Sequence, residues 1–465
     1  MTQTPERPVR VVKFGGTSLG DAGRMAGTAG IIGQQATEVQ LVVVVSAMQK
    51  VTGSLLQAAT AASRRETDTW QRIGEELRCR HTEVCEALIP AAERPVIQAQ
   101  IDTELATFHD FCTGFSLVRE LTPRSLDSLS SFGEVMSATL MAAILRAGGL
   151  EAEAVDAMEL IVTDDGFGNA SLLFEPTREK VRARLAPLLQ RGAIPVVTGF
   201  RAATRDGSCT TLGRGGSDYS ATILGAALPA DEIWIWTDVD GMMTADPRIV
   251  PEARVIPELS YREAIELSFF GAKVLHPKSL DLPFRAGIPV LIKNTFNPTA
   301  AGTEIGGSKP QRPGVRAIAS TAEAALFTVS GDRALPFTRL AALVFGWLDA
   351  DHVSTLVVTQ SSAENVLSFA VNRVDAARVR RRLDRERGAS LAGVEELPDV
   401  GVVVSVGEGM KGTPGIAARI FGSIARLGIN IAAIAQGSSE LSVSLVVKSS
   451  DVAAAVRAMH QEFGL

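Results

Sequence analysis

The sequence predicts an α/β protein in which a mostly parallel, three-layer α/β/α domain precedes two smaller α+β modules of the βαββαβ type. Three observations carry this. Short apolar runs alternate with helix-length segments through the first three hundred residues, a Gly/Pro-rich stretch follows, and a strand, loop, helix, strand order then occurs twice.

The strands of the first part are read at Val9–Lys13, Leu41–Ser46, Ile194–Thr198 and Glu232–Thr237, each apolar enough to be buried on both faces. Helix-length segments lie between them at 67–88, 129–147, 178–190 and 217–228. Ligands of such sheets gather at the carboxyl ends of the strands, where Lys13, Ser46, Thr198 and Thr237 stand. Gly302, Gly306, Gly307, Pro310, Pro313 and Gly314 mark a boundary near residue 310, giving domains at 1–310 and 311–465. Within the second, modules are expected at about 320–395 and 398–465, sharing strands where they meet.

Bulk composition narrows the function. A chain of 465 residues has room for two or three domains, each with its own core. A formal net charge of -6 argues against a nucleic-acid partner, whose phosphates demand a basic face. Cys79, Cys85, Cys112 and Cys209 show no CxxC spacing and the five histidines are scattered, so neither a disulfide framework nor a zinc site is expected. The apolar run Leu41–Val45 is too short for a membrane span or a signal segment, and the expected compartment is the reducing cytosol.

Chemistry first shows in Val11-Val12-Lys13-Phe14-Gly15-Gly16-Thr17-Ser18. A lysine at a strand end, then two glycines and a hydroxyl pair, offers an anion a positive charge and backbone amides. The order is the reverse of a P-loop, in which the lysine follows the glycines, and no GxxxxGK[ST] string occurs. Taken alone, the string fits a phosphate site and a capped Gly-Gly turn about equally. In Thr210–Asp218, Gly213, Gly215 and Gly216 permit close backbone approach, Arg214 can grip a carboxylate, and Asp218 in a first helical turn can orient a lysine or a metal. Glu134, in Ser131-Phe132-Gly133-Glu134, opens a helix, where a carboxylate also suits the macrodipole. Thr237-Asp238-Val239-Asp240-Gly241 suits a ribose loop and an Asp-Gly turn equally well. Gly407–Gly412 scores as GxGxxG, but no acid follows at about twenty positions, which excludes a dinucleotide site.

KFGGTS at 13–18, Ser46 with Thr52, SFGE at 131–134, TLGRGGSD at 211–218, TDVDG at 237–241, DPR at 246–248 and FGAKVLHP at 270–277 together resemble the aspartate kinases of the amino-acid kinase family. GTPGIAARIF at 412–421 and AQGSSE at 435–440 look like the ACT regulatory domains of that family, and the likeness runs from Val11 to the last ACT strand. Met243 stands where the family commonly has a tyrosine near the nucleotide, and Phe132 where a histidine often precedes Gly-Glu.

The resemblance implies phosphoryl transfer from ATP to the side-chain carboxylate of L-aspartate, giving an acyl phosphate and ADP, as in the first step toward lysine, threonine and methionine. It implies that Lys13 serves the transferring phosphoryl group and that Asp218 holds Lys13. It assigns Ser46, Thr52, Glu134, Arg214, Gly215, Gly216 and Ser217 to aspartate, with Arg214 on a carboxylate and Glu134 on the ammonium. Lys13, Phe14, Gly15, Gly16, Thr237, Asp238, Met243, Arg248, Lys273 and Val274 are assigned to the nucleotide. Magnesium is expected on the phosphates, with no protein metal cage. Pairing of ACT modules implies a homodimer or larger assembly with lysine or threonine as effector, although the first module, at Ser330–Leu340, lacks the GxPG turn of the second. A silent ACT-type amino-acid sensor and a same-fold kinase for another amino acid are the alternatives.

Overall fold

A computed structural model describes residues 7–270, 274–306, 314–332, 335–361, 363–388 and 391–465. The chain divides into two compact units. The first holds Met1–Met242, Pro257–Leu259 and Val274–Gly307; the second holds Met243–Ile256, Ser260–Lys273 and Ser308–Leu465. In place of the single cut expected near residue 310, two earlier stretches therefore group with the C-terminal part. Ala245 and Val250 share one apolar core with Ile318, Val403 and Met459, which explains the grouping of the first stretch.

The first unit is built on an eight-stranded sheet ordered Ala152–Val155, Ile194–Thr198, Gln40–Val45, Val9–Phe14, Glu232–Thr237, Val290–Asn294, Thr303–Ile305, Glu258–Leu259. The strands from Ala152–Val155 through Val290–Asn294 run parallel, and only the pairing of Val290–Asn294 with Thr303–Ile305 is antiparallel. Val11, Val12, Val42 to Val45, Val196 and Val197 are all but inaccessible, as the unbroken apolar runs require. The helix expected over 129–147 is two helices, Pro123–Ser130 and Phe132–Ala147, meeting at Ser131. That stretch is long and apolar enough to cross a bilayer, yet 83% of its most apolar window is buried inside the protein, as in a core helix. Helices absent from the sequence reading, among them Ala22–Ala36, Val51–Ser63, Arg94–Val118 and Lys278–Ala286, complete the layers.

The second unit carries a six-stranded antiparallel sheet ordered Thr355–Ser361, Val366–Asn372, Ala317–Gly331, Leu391–Val406, Ser442–Lys448, Ala433–Gln436. Its two middle strands, of 15 and 16 residues, pair from Ala317 opposite Val406 to Gly331 opposite Leu391. Each long strand therefore serves both modules, and two separate apolar cores lie along it, one around Phe327 and Phe369, the other around Ile420 and Leu445.

Candidate active site

Three helices begin at the same end of the first unit's sheet, and their first turns face one cavity of about 480 Å³. Lys50 and Thr52 bring the start of Val51–Ser63, Glu134 the first turn of Phe132–Ala147, and Gly215 to Asp218 the start of Gly216–Ala227. Unpaired amides and the positive ends of helix dipoles make such a convergence suited to an anion. Lys13, Gly16 and Ser46 complete the wall, each at or just beyond the carboxyl end of a central strand.

Lys13 and Asp218 form the charged centre. Lys13 Nζ lies 2.5 Å from Asp218 Oδ1, with side-chain exposures of 11% and 10%. The parallel register sets Lys13 opposite Val44 and Ile235, so its position comes from the sheet interior and not from a loop. Glu134, 3% exposed, is the second acid. Desolvation pushes its carboxyl up to about 8 against hydrogen bonds from the backbone amides of Ala47 and Glu134 itself and the charge of Arg201. Its Oε2 has no hydrogen-bond partner among the described residues.

The loops are braced from behind. Arg24 Nη1 donates to Thr17 O at 3.0 Å and Gln49 Oε1 at 3.1 Å, and Arg80 Nη2 donates to Gln49 O at 3.0 Å and Gly20 O at 3.2 Å. The buried Asp127 accepts from Gly168 N at 2.8 Å, Thr211 N at 3.0 Å and Thr211 Oγ1 at 2.7 Å, fixing the strand that leads into the glycines. Gly215 adopts φ +71° as the cap before the helix, and a Cβ there would meet His276 Cβ at 2.4 Å.

Other assigned residues stand differently. Arg214 is exposed and does not line the cavity, because Gly215 turns the chain just after it. Phe14 is wholly buried and stacks on Trp236, with ring centroids 5.8 Å apart, and its carbonyl accepts from Ser46 N at 3.1 Å, so it does not face the cavity. The amide of Gly15 is spent on Trp236 O at 3.2 Å, which corrects its expected role as a phosphate donor. Thr237, Asp238 and Val274 belong to the first unit but lie outside this cavity, and Met243 and Arg248 belong to the second unit. Arg248 pairs there with Asp246. Lys273 lies outside the described residues. Thr17 and Gly213, read within their motifs but given no assignment, line the cavity, as do Ala47, Met48, Gln49, Lys50 and Phe200, which were not singled out. Most follow a strand end, the position the sheet itself marks for ligands.

The family model for the amino acid kinase family matches residues 8–294, and one for an ACT domain matches 403–463. The chain is 36% identical over 465 residues to the bifunctional aspartokinase/homoserine dehydrogenase of Haemophilus influenzae, covering 97% of this chain and 56% of that protein. It spans about half the length of several such bifunctional relatives. It is 35% identical to aspartokinase 3 of Arabidopsis thaliana, of which it covers 83%. E. coli aspartokinase III, solved with aspartate and ADP in its R-state, superposes with a TM-score of 0.88 at 30% identity, covering 98% of this chain and 100% of that one. The T-state of the same enzyme, solved with lysine and aspartate, gives a TM-score of 0.79 at 31% identity, over 97% and 99%. Fold, cavity and likeness agree: the chain belongs to the amino acid kinase family, and within it to the aspartokinases.

Proposed function

We propose that the chain transfers the γ-phosphoryl group of ATP to the side-chain carboxylate of L-aspartate, giving 4-phospho-L-aspartate and ADP. The observation that carries this reading is the Lys13–Asp218 pair set in one cavity with the buried carboxyl of Glu134. E. coli aspartokinase III, the relative solved with aspartate and ADP, supports the choice of substrates.

The acceptor needs no base, since a carboxylate of ordinary pKa near 4 is already ionised at neutral pH. Its oxygen attacks the γ-phosphorus, the bond from that phosphorus to the bridging oxygen breaks, and ADP leaves. What remains for the protein is alignment and neutralisation of charge. Lys13, held by Asp218, meets the phosphoryl oxygens; the helix starts at Gly216 and Val51 supply amide dipoles; and Glu134 takes the substrate ammonium. A magnesium ion brought in with ATP would add charge neutralisation at the phosphates, beside the positive charge that Lys13 supplies. Lysine is the effector we favour, given the lysine-bound relative, and a homodimer or larger homo-oligomer in the cytosol is the form the proposal expects.

Trapping the acyl phosphate with hydroxylamine tests this directly. Aspartate should give the hydroxamate with stoichiometric ADP, whereas glutamate and acetylglutamate should not; equal turnover with either would overturn the assignment.

A further inference from the structure

The strands Val9–Phe14, Glu232–Thr237 and Val290–Asn294 run parallel side by side, with Phe14 opposite Trp236 and Thr237 opposite Asn294. Their carboxyl ends finish at one level of the sheet, and the segment that leaves the third strand reaches back to the loops that follow the other two. Thr295 touches both. Its amide donates to Thr237 O at 2.9 Å, and its hydroxyl shares a buried hydrogen bond of 2.7 Å with Ser18 Oγ. Ser18 is wholly buried in the helical turn Gly16–Leu19, whose Gly16 and Thr17 line the cavity beside Lys13. The carbonyl of Ser18 accepts from Thr28 Oγ1 at 2.8 Å, so that turn is anchored from two sides.

Asn294 holds the other loop. Its Nδ2 donates to Asp240 Oδ1 at 2.8 Å, and Asn297 Nδ2 donates to the same oxygen at 3.2 Å. The amide of Asn294 is oriented from its other end, where Oδ1 accepts from Phe296 N at 2.9 Å. Asp240 lies in the turn 237–241, where Asp238 is exposed. The proposed chemistry uses none of Ser18, Asp240, Asn294 or Thr295, yet together they tie two loops at the ligand edge of the sheet.

Geometry says which substrate this concerns. Phosphoryl transfer sets the attacking and leaving oxygens roughly in line through phosphorus. Ser46, Thr52 and Glu134 put the acceptor on the Gln40–Val45 side of Lys13, so the leaving ADP extends the opposite way, over the ends of Glu232–Thr237 and Val290–Asn294.

We propose that Asn294 and Thr295 are positioning residues for ATP: through Asp240 and Ser18 they lock the turn 237–241 to the loop Gly16–Leu19, so that one donor molecule meets two walls already in register. The proposal rests on the reading of the chain as an ATP-dependent kinase of aspartate and deepens it. Loops ordered before binding spare the ligand the cost of ordering them, so a broken clasp weakens ATP more than aspartate.

The test is calorimetric titration of ATP, with steady-state kinetics and thermal melts, on the full chain. Asn294→Asp sets one carboxylate against another and should weaken ATP binding about tenfold, with KM for aspartate within about twofold of wild type. The double variant Asn294→Asp/Asp240→Asn exchanges acceptor and donor and should recover ATP affinity to within about threefold. Thr295→Val strands the Ser18 hydroxyl and should cost about fivefold in ATP affinity, whereas Thr295→Ser keeps the bond and the affinity. A lowered melting temperature with both KM values rising together, or no recovery in the double variant, overturns the proposal. If Asn294→Asp gives no cooperative melt, the Thr295 variants decide, and equal ATP affinity in Thr295→Val and wild type overturns it. The two readings fail separately. A wild type that phosphorylates aspartate, beside variants that all bind ATP normally, removes the clasp alone; a wild type that binds ATP but phosphorylates no aspartate removes the choice of acceptor, and ATP affinity in the variants still judges the clasp.

Discussion

Lys13 Nζ and Asp218 Oδ1 stand 2.5 Å apart, the lysine next to the end of a central strand and the aspartate in the first turn of the helix Gly216–Ala227. With both side chains about nine-tenths buried, the pair is far more costly to break than to replace. Asp218→Ala should destabilise the protein by about 3 kcal/mol and lower kcat at least a hundredfold, because an uncompensated ammonium is left in the wall. The double variant Lys13→Met/Asp218→Leu should be inactive yet more stable than Asp218→Ala alone. Urea melts of both, with equal midpoints, would show that the pair is not a coupled unit.

Glu134 makes stability and function oppose each other. Its folded carboxyl titrates near 8, against an unfolded reference of 4.5. Between these values the folded state keeps a proton that the unfolded chain has released, so this group's contribution to stability falls as the pH rises through the window. Glu134→Gln, neutral and close in shape, should remove that slope and gain on wild type by up to a few kcal/mol at pH 8, while losing affinity for aspartate. Denaturant midpoints at pH 5 and pH 8 check this; parallel behaviour of the two proteins would mean that the carboxyl stays ionised throughout.

Gly133 sets the distance between this acid and the loop after Gln40–Val45. A Cβ there would meet Ala47 Cβ at 2.7 Å and Val51 Cγ1 at 2.8 Å, both buried. Neither neighbour is the free end of a long side chain, so Gly133→Ala must move a helix start or a loop. A cost of about 1–3 kcal/mol is expected, with KM for aspartate rising more than KM for ATP. A variant of wild-type stability would show that the loop yields freely.

Much of this was legible in the sequence for a plain reason: strands buried on both faces must be unbroken apolar runs, and ligands collect where such strands end. Lys13, Ser46 and the glycines before Asp218 are local signals of that kind. Other features depend on contacts between distant positions. Asp127 braces Thr211 across 84 residues, and nothing near Asp127 announces it. Ala22–Ala36 carries Gly23, Gly27, Gly30 and Gly33, each unfavourable to an isolated helix, so only tertiary packing makes it one. Lys50, at φ +70°, takes a backbone form that composition does not foretell. Arg214 shows the converse, since its residue type suits a carboxylate clamp but the turn at Gly215 leaves it exposed.

Thr244 fastens the stretch Met243–Ile256 within the second unit through all of its polar atoms. Its amide donates to Arg254 O at 2.9 Å, its carbonyl accepts from Ile318 N at 2.8 Å, and its hydroxyl accepts from Arg254 N at 3.0 Å. The same hydroxyl lies 3.0 Å from His460 Nε2, in the last helix. Burial, aided by the charge of Arg254 and opposed by Glu252, holds His460 below its ordinary range, so at neutral pH the ring is uncharged and hydrogen-bonded to the threonine hydroxyl. Thr244→Val keeps the shape and strands the part-buried Arg254 amide and the buried His460 ring nitrogen, at a cost of about 1–3 kcal/mol. Met243 and Arg248, which the resemblance assigns to the nucleotide, ride on this stretch, so KM for ATP should rise severalfold while KM for aspartate stays within about twofold. Wild-type acidification should act in the same direction, because stability from a neutral buried histidine is lost as the pH falls through the ordinary histidine range. Calorimetric titration of ATP into wild type and Thr244→Val at pH 7.5 is the check, and equal affinities would separate this segment from nucleotide binding.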